Sequence, residues 1–485
     1  MDTRTIRSSL IILFIIVSCS GPHSNRDSIR EISLAGPDTS LKSSTLPVPP
    51  LLRDLSQDKK RAQYELVVQR GSTEFFSGTS AATYGYNGNI LGPTLRAKRG
   101  QEVIIRVRNR LREYTTVHWH GMLVPGNMDG GPHQVIPPDG EWRVRFRVSQ
   151  PAATLWYHPH GLGTTAVQVY RGLAGLFIID DSISDRLPIP SEYGKNDIPL
   201  IIQDRRFSSD GVPLYLTGMR DIMEGMKGET ILVNGVIKPF LRVSATRYRF
   251  RILNGSNARV FDFKLSTGGT FYQIAADSGF LHRPHLTRSI RLSPGERAEI
   301  LVDFSSFKEG DTLRLVSDYF TILEMRVGAK SSDPTSIPAT LAPRASLPLS
   351  AVRRTRVFHL EGMGHMVSIN RKQMDINRID EYVKKGDTEI WTITSSTRGM
   401  MGMGMMRGTG GIVHNFHAHG IHFLILDRNG TPAGPGEQGW KDTVLLDEGE
   451  RVRVITRFLY RGIFMYHCHI LEHEDNGMMG QFKVD

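Results

Sequence analysis

The sequence predicts an all-β protein made of three consecutive β-sandwich domains. Short segments in which apolar and polar residues alternate, such as Glu102 to Val107 and Trp142 to Phe146, are separated by turns rich in glycine and proline. This spacing is typical of half-buried strands in a sandwich. Long helical periodicities are scarce, and a chain of 485 residues has room for about three domains of ordinary size.

The N-terminal residues predict export. A basic start is followed by the apolar run Leu10 to Val17, which is long enough for a signal peptide and too short to span a membrane. The run ends in Ile16-Val17-Ser18-Cys19, which resembles the lipobox of bacterial lipoproteins. The resemblance implies a signal at 1–19, lipidation of Cys19, and a periplasmic protein anchored in a membrane, with Ser20 favouring the outer membrane. Ordinary signal cleavage beside an incidental cysteine is the alternative.

Residues 20–60 are rich in serine, proline and charge, which predicts a flexible tether. The formal net charge is +11, but the arginines alternate with apolar residues on predicted strands, as at Arg143, Arg145 and Arg147. That pattern is typical of the solvated face of a sheet, so no nucleic-acid partner is expected. Cys19 and Cys468 are the only cysteines. An exported protein with one mature thiol keeps it for chemistry, since no disulfide can form within the chain.

An internal repeat divides the folded part. A Gly-Glu pair stands before a predicted strand at Gly140, Gly295 and Gly449, at intervals of 155 and 154 residues. The predicted domains cover 61–190, 191–330 and 355–485, and the stretch 331–354, dense in serine, proline and alanine, is a predicted linker.

The three copies differ in histidine content. Four His-x-His pairs occur in the first and third copies, whereas the middle copy has Leu253-Asn254-Gly255-Ser256 in the corresponding place. Both members of a pair face the same side of a strand. Each outer domain would therefore supply half of a histidine-lined metal pocket, here called the basket, which is completed at the interface between the two domains. Eight imidazoles exceed the needs of one or two zinc sites and fit three metals. The pairs are His118 and His120, His158 and His160, His417 and His419, and His467 and His469.

A second predicted centre uses Cys468 together with His414, His473 and Met478. Two imidazoles, one thiolate and a weak axial thioether form the blue-copper arrangement. Because side chains alternate along a strand, Cys468 would face away from His467 and His469. One strand end can therefore serve both centres.

From about residue 60 to the end, these four motifs resemble those of the three-domain multicopper oxidases, most closely the laccase-like bacterial copper efflux oxidases. The resemblance implies cupredoxin-like Greek-key sandwiches and four copper ions. Type 1 copper would lie on His414, Cys468, His473 and Met478, type 2 copper on His118 and His417, and the type 3 pair on His120, His158, His160, His419, His467 and His469. One departure is Asn415, where the family usually has proline; no ligand is lost.

The resemblance also implies an enzyme, expected to be monomeric, that takes electrons from a small reductant and reduces O2 to water. Asp129, nine residues after His120, and Glu474, directly after His473, match the positions of acidic residues that supply protons in this family. The alternative for each is an ordinary turn or surface carboxylate.

Methionines near the third motif indicate the reductant. Thioethers favour Cu(I) over harder ions, so a Cu(I) entry site is predicted at Met400, Met401, Met403, Met405 and Met406. Adaptable hydrophobic contact is the alternative for this loop. Met219, Met223 and Met226 recur at helical spacing, and for them copper contact and core packing both remain open.

Three functions are compatible with these features. The first is periplasmic oxidation of Cu(I), with a role in copper tolerance and with phenols as a side or main substrate. The second is a copper-sequestering protein without turnover. The third is a cupredoxin-fold scaffold of the cell-division type that has lost its metals, which the presence of every ligand opposes. A two-domain nitrite reductase is disfavoured because it would lack the paired type 3 histidines.

Overall fold

The computed structural model describes residues 44–396 and 413–485. The predicted signal peptide, Cys19 and the Met400 to Met406 loop lie outside the described residues. Short α-helices occur at α1 (Thr165–Tyr170), α2 (Met219–Glu224) and α3 (Leu471–Asp475). In the described ranges, no helix is both long and apolar enough to cross a membrane.

Apart from single 3-10 turns at Gly126–Met128, Ser184–Arg186, Leu349–Ala351, Gly364–Met366 and Pro435–Glu437, the remaining regular structure of the described residues is β-strand. In chain order the strands are β1 (Ser44–Thr45), β2 (Arg61–Phe76), β3 (Thr79–Tyr86), β4 (Leu95–Lys98), β5 (Glu102–Asn109), β6 (His118–His120), β7 (Glu141–Arg147), β8 (Ala153–His158), β9 (Gly175–Asp180), β10 (Asp197–Phe207), β11 (Pro213–Leu214), β12 (Thr230–Val233), β13 (Val236–Ile237), β14 (Pro239–Val243), β15 (Arg247–Asn254), β16 (Phe261–Leu265), β17 (Phe271–Ala276), β18 (Gly279–Thr287), β19 (Ser289–Leu292), β20 (Arg297–Asp303), β21 (Thr312–Ser317), β22 (Phe320–Val327), β23 (Val352–Glu361), β24 (Ser368–Ile369), β25 (Glu381–Val383), β26 (Thr388–Ser396), β27 (His414–Ala418), β28 (Phe423–Arg428), β29 (Thr431–Pro432), β30 (Thr443–Leu446), β31 (Arg451–Arg457), β32 (Gly462–His467) and β33 (Met479–Val484).

These strands form three sandwiches of two sheets each. The first has the strand orders β3-β2-β5-β7 and β4-β9-β8-β6. The second has β1-β14-β22-β21-β16-β19 and β13-β12-β10-β15-β20-β17-β18, with β11 on β10. The third has β24-β23-β26-β31-β28-β29 and β25-β33-β32-β27-β30. The prediction of an all-β chain with three sandwiches is confirmed.

The same pairing recurs in each sandwich. A parallel pair is followed by an antiparallel partner, as in β2, β5 and β7, in β10, β15 and β20, and in β23, β26 and β31. Strand β5 shows how the sequence directs one face of a strand to the core. Val103, Ile105 and Val107 are buried, while Arg106, between Ile105 and Val107, faces outward. Burial of every second residue fixes which face of the strand meets the core.

Residues 44–60, predicted to be tether, pack instead against the first two domains. Strand β1 pairs in parallel with β14, and the main-chain N–H of Leu46 donates to Phe240 O over 2.8 Å. Leu46 is buried, and the N–H of Leu52 donates to Thr94 O. The polar composition of this segment gave no sign of these contacts because they are largely made by the main chain.

The middle sandwich contacts both outer ones. Thr154 of the first domain donates to Glu299 Oε1 of the second over 2.6 Å, and Arg251 of the second donates to Thr154 Oγ1 over 2.8 Å. From the third domain, the main-chain N–H of Leu471 donates to Asn257 O of the second. The second domain is therefore hydrogen-bonded to both outer domains.

Candidate metal centres

Strand pairing brings the histidines of each outer domain together. His118 on β6 is the cross-strand partner of His158 at the end of β8. His417 on β27 is likewise opposite His467 at the end of β32. Directly opposed residues keep their side chains close, so each domain presents a cluster rather than scattered rings. All eight predicted basket histidines are at most 1% exposed.

The two half-baskets meet at the interface of the first and third domains. Nε2 of His160 lies 3.0 Å from Nε2 of His467 and 3.1 Å from Nε2 of His419. The last two nitrogens are also 3.1 Å apart. A point equidistant from three nitrogens so spaced is about 1.8 Å from each, near the roughly 2.0 Å that imidazole nitrogen keeps from a bound metal such as zinc.

The other histidines surround this triad. Nδ1 of His120 is 3.4 Å from Nε2 of His158, and the ring of His469 lies with its centroid 5.0 Å from that of His120. The ring centroids of His118 and His417 lie 5.8 Å apart across the interface, with the ring planes inclined at 59°. The structure therefore brings all eight predicted histidines into one buried space.

Several ring nitrogens of these histidines have no hydrogen-bond partner among the described residues. Nε2 of His118, Nε2 of His417 and both nitrogens of His469 make no hydrogen bond within the described part of the chain. Burial lowers the pKa of His469 to about 3 and holds the pKa of His158 well below its ordinary range. These two rings are therefore neutral, which is the form that binds metal, and buried lone pairs without donors fit transition-metal ions such as copper.

The opposite nitrogens fix the orientation of the rings. Nδ1 of His118 donates to Asp129 O over 2.9 Å, Nδ1 of His417 donates to Asp442 O over 2.8 Å, and Nδ1 of His467 donates to Cys468 O over 3.0 Å. Such bonds fix the tautomer and leave Nε2 free to bind a metal.

The second predicted centre is also assembled. Cys468 Sγ lies 3.7 Å from Nδ1 of His414 and 4.0 Å from Nδ1 of His473. The main-chain N–H of Cys468 donates to Met478 O over 3.0 Å, which brings the buried Met478 alongside. Burial raises the pKa of the Cys468 thiol to about 12, so the thiolate needs a cation beside it, as a bound metal provides.

Both predicted acidic residues contact basket histidines. Asp129 is buried and its Oδ2 accepts from Nδ1 of His419 over 2.7 Å. Its Oδ1 has no hydrogen-bond partner among the described residues. Oε2 of Glu474 lies 3.2 Å from Nδ1 of His467, and its Oε1 lies 3.6 Å from Nε2 of His160. The alternative of a surface carboxylate is therefore wrong for both residues, since both are buried.

Sequence reasoning missed the pair formed by Asp442 and Arg297. Asp442 Oδ1 lies 3.0 Å from Nε2 of His120, and Arg297 donates to both oxygens of Asp442 over 2.7 and 2.6 Å. Both charged side chains are fully buried. No motif links them to the histidines, so only the assembled fold reveals this support.

Methionines lie beside the second centre, and two of them were not predicted. Nε2 of His473 donates to the main-chain oxygen of Met223 over 3.0 Å. A Cβ placed on Gly364 would lie 2.7 Å from Met223 Sδ, so the connection that carries Met363 and Met366 packs on helix α2. Met363 is buried, and Met366 is 61% exposed.

The methionines at helical spacing, Met219, Met223 and Met226, do not all have the same role, and the two open interpretations were copper contact and core packing. Met219 is 72% exposed, whereas Met226 is buried and its N–H donates to Glu472 Oε2. Core packing is therefore the role of Met226, whereas Met219 is exposed and Met223 contacts His473 through its main chain.

Comparisons with known proteins agree with this architecture. Two family models, both described as multicopper oxidase, match residues 67–184 and 346–485. The multicopper oxidase mco of Staphylococcus haemolyticus is 43% identical over 422 residues, which cover 87% of this chain and 88% of the relative. The crystal structure of laccase from Pediococcus acidilactici Pa5930 superimposes with a TM-score of 0.85 at 36% identity, over 92% of this chain and 94% of the laccase.

A relative with a different role is also similar. The cell division protein FtsP of Salmonella typhimurium is 35% identical over 468 residues, which cover 91% of this chain and 92% of that protein. In this chain the histidines, cysteine and methionine of both predicted centres are present and buried, as a copper enzyme requires. The chain therefore belongs to the multicopper oxidase family, as a three-domain, laccase-like oxidoreductase of the cupredoxin fold that uses copper.

Proposed function

We propose that this protein oxidises a small reductant, chiefly Cu(I), at one copper site and reduces O2 to water at a separate cluster of three coppers, with a role in copper tolerance. The observation that carries this proposal is the back-to-back arrangement at residues 467–469. Cys468 faces His414 and His473, while His467 faces the basket. The end of one strand thus supplies a ligand to the sulfur-containing site and a ligand to the histidine basket.

The donor sets divide as follows. The set that contains sulfur ligands, here called the soft set, would hold type 1 copper on His414, Cys468, His473 and Met478. The convergent triad of His160, His419 and His467 would hold one type 3 copper, His120, His158 and His469 the other, and His118 and His417 the type 2 copper. Bound copper would supply one-electron chemistry at the first set and four-electron reduction of O2 at the second. The chain's residues bind and orient these ions and exclude bulk water, since every ligand is buried.

Asp129 and Glu474 would supply protons to the basket. Asp129 is anchored through Oδ2 to His419, which leaves Oδ1 free to carry a proton or to orient water. Glu474 reaches the basket from the other side, next to His467 and His160. A carboxyl within reach of the reacting atoms can act as a general acid.

The methionines beside the soft set support Cu(I) as the reductant. Met223 contacts His473 through its main chain, and the exposed Met219 and Met366 lie on the two elements that pack together there. In the sequence, the Met400 to Met406 loop precedes His414 by eight residues. Thioethers select Cu(I) over harder ions.

The experiment compares kcat/KM for Cu(I) and for a phenol, with O2 consumption as the readout, in the wild type and after deletion of Met400 to Met406. We expect steady O2 consumption with both reductants and a selective loss of Cu(I) oxidation in the deletion variant. Unchanged Cu(I) oxidation would exclude the loop as the entry site, and a stronger reaction with phenols would favour a general laccase. Copper uptake without O2 consumption would instead indicate a sequestering protein.

The similarity to FtsP favours a second candidate, a scaffold in cell division. A scaffold does not need its metals, so copper-free protein would retain its function. Complementation of an FtsP-deficient strain by both the wild type and a Cys468→Ser variant would support this candidate and contradict an oxidase role.

We also propose export to the periplasm and anchoring through a lipid on Cys19. The support is the lipobox-like sequence before Cys19. Labelled fatty acid should enter the wild type and not a Cys19→Ser variant; absence of label in both would indicate ordinary signal cleavage.

A further inference from the structure

A cavity of about 400 Å³ lies where the second domain, the linker 331–354 and the third domain meet. Strand β18 supplies one part of its wall, the linker a second part, and the turn Pro435–Glu437 of the third domain a further part. The wall includes Leu281, His282, Arg283, Pro284, Arg344 and Pro435. A cavity of this volume can hold a small organic molecule.

The linker is held against strand β18 beside this cavity. The main-chain N–H of Leu341 donates to His282 O over 2.9 Å, and Nδ1 of His282 donates to Ala342 O over 2.7 Å. Leu341 is also buried. Arg344 follows Ala342 by two residues, so these bonds fix the main chain that carries its side chain to the cavity.

The third-domain part of the wall is held in place as well. Nε2 of Gln273, on strand β17 of the second domain, donates to Gly436 O over 3.0 Å. A Cβ on Gly436 would clash with Oε1 of Gln273, so glycine allows this close approach. Glu437 in the same turn accepts from Arg428 over 2.7 Å. The turn therefore brings no unpaired carboxylate to the cavity.

The positive charge of this cavity is not balanced by the chain. Arg283 and Arg344 are exposed, and neither makes an ion pair or a side-chain hydrogen bond with another described residue. Among the described residues, no aspartate or glutamate lines the cavity. The two guanidinium groups therefore keep their donors available to a ligand.

A neighbouring cavity of about 360 Å³ shows the contrast. It shares His285 with the first cavity and lies between the second and third domains. Each of its acidic side chains has a cationic partner: Glu296 pairs with Lys441, Asp447 with Arg291, and both Glu437 and Glu450 with Arg428. Its charges are therefore paired within the chain, whereas the arginines of the first cavity are left without counter-ions.

We propose that the cavity at Arg283 and Arg344 binds a small organic anion with two negative charges, such as a phosphate monoester. Guanidinium groups match the oxygens of such anions in geometry and form charge-assisted hydrogen bonds with them. Leu281, Pro284 and Pro435 supply apolar surface for the carbon skeleton of the ligand. The cavity shares no residue with the two metal centres, so the inference does not depend on the proposed function.

Two double variants of the full, copper-loaded protein test the site. Arg283→Gln with Arg344→Gln removes both cations from the cavity, and because both side chains are exposed we expect the variant to fold. Arg353→Gln with Arg354→Gln is the matched control, since these arginines are exposed and lie outside the cavity wall. Both variants lose the same two charges. Isothermal titration calorimetry measures the binding of phenyl phosphate, with benzyl alcohol as the neutral comparison.

We expect the wild type to bind phenyl phosphate and not benzyl alcohol. The Kd for phenyl phosphate should rise at least about tenfold in the cavity variant, because charge-assisted hydrogen bonds are lost, and should stay within about twofold in the control. Failure of the wild type to bind phenyl phosphate would overturn the proposal. An unchanged Kd in the cavity variant would also overturn it, by placing the anion elsewhere, and an equal rise in both variants would do so by assigning binding to net charge alone.

Discussion

Asp442 Oδ1 lies 3.0 Å from Nε2 of His120 and joins a carboxylate of the third domain to a histidine of the first. The same carboxylate accepts two hydrogen bonds from Arg297 of the second domain. All three domains therefore contribute to the orientation of one ring. Because Nε2 of His120 is used here, its Nδ1 is left to face His158 and the basket.

Asp442→Asn should weaken copper binding in the basket. The amide keeps the shape but loses the charge that orients His120 and neutralises Arg297, and loss of such a partner typically costs about 10–100-fold in metal affinity. We expect copper to dissociate from the basket at lower chelator concentrations, with a lower copper content per chain and retention of the blue band. Asp447→Asn is the control, because Asp447 pairs with Arg291 at the surface. Equal copper retention in both variants would contradict this role.

Arg297→Met should destabilise the copper-free protein strongly. It leaves the fully buried Asp442 without its guanidinium, and breaking a buried pair costs about 3–5 kcal/mol. The matched variant Arg291→Met breaks an exposed pair with Asp447, which is worth about 0–1 kcal/mol. Denaturant unfolding of both apo variants measures the difference, and similar midpoints would show that the buried pair is not a major support.

Asp129→Asn should slow turnover while sparing the blue absorption. The amide can still contact His419, but it cannot deliver a proton from Oδ1, and loss of a general acid lowers rates by about 10²-fold or more. Stopped-flow reoxidation by O2 is the measurement. Asp139→Asn provides a control in the same domain, since Asp139 is exposed and pairs with Arg110. Turnover at the wild-type rate in Asp129→Asn would remove the assignment.

The double variant Met219→Leu, Met366→Leu should lose Cu(I) oxidation selectively. Leucine keeps the size of the exposed side chains and removes the soft sulfur. We expect kcat/KM for Cu(I) to fall about tenfold, which corresponds to about 1.4 kcal/mol, with kcat/KM for a phenol unchanged. Met325→Leu, buried in the second domain, is the control. A parallel loss for both reductants would indicate a general effect on the soft site instead.

The ligands could be predicted from sequence because they occur in short motifs on strands. Alternation along β6 places His118 and His120 on one face, and this rule depends only on backbone geometry. In each of the other three pairs, the second histidine lies just beyond the end of a strand. Asp442 and Arg297 follow no such rule, since they are 145 residues apart and meet only when the third domain packs on the second. Met363 and Met366 were missed for the same reason, as their proximity to His473 depends on the packing of α2.

Asn415 shows a different limit. Its position beside His414 marked it as a departure from the family motif, but composition and spacing gave no indication of its partners. The contacts with Ser293 and Pro294 come from another domain, so the consequence of the substitution is apparent only in the assembled chain.

The central claim is that the thiolate of Cys468 holds one copper in front of a separate basket of three. The most direct measurement is the copper content and visible spectrum of the reconstituted wild type and of Cys468→Ser. The account predicts four copper ions and a blue band at roughly 600 nm in the wild type. In Cys468→Ser it predicts three ions, no blue band and no turnover. A colourless wild type, or a Cys468→Ser variant that oxidises substrate at the wild-type rate, would contradict it.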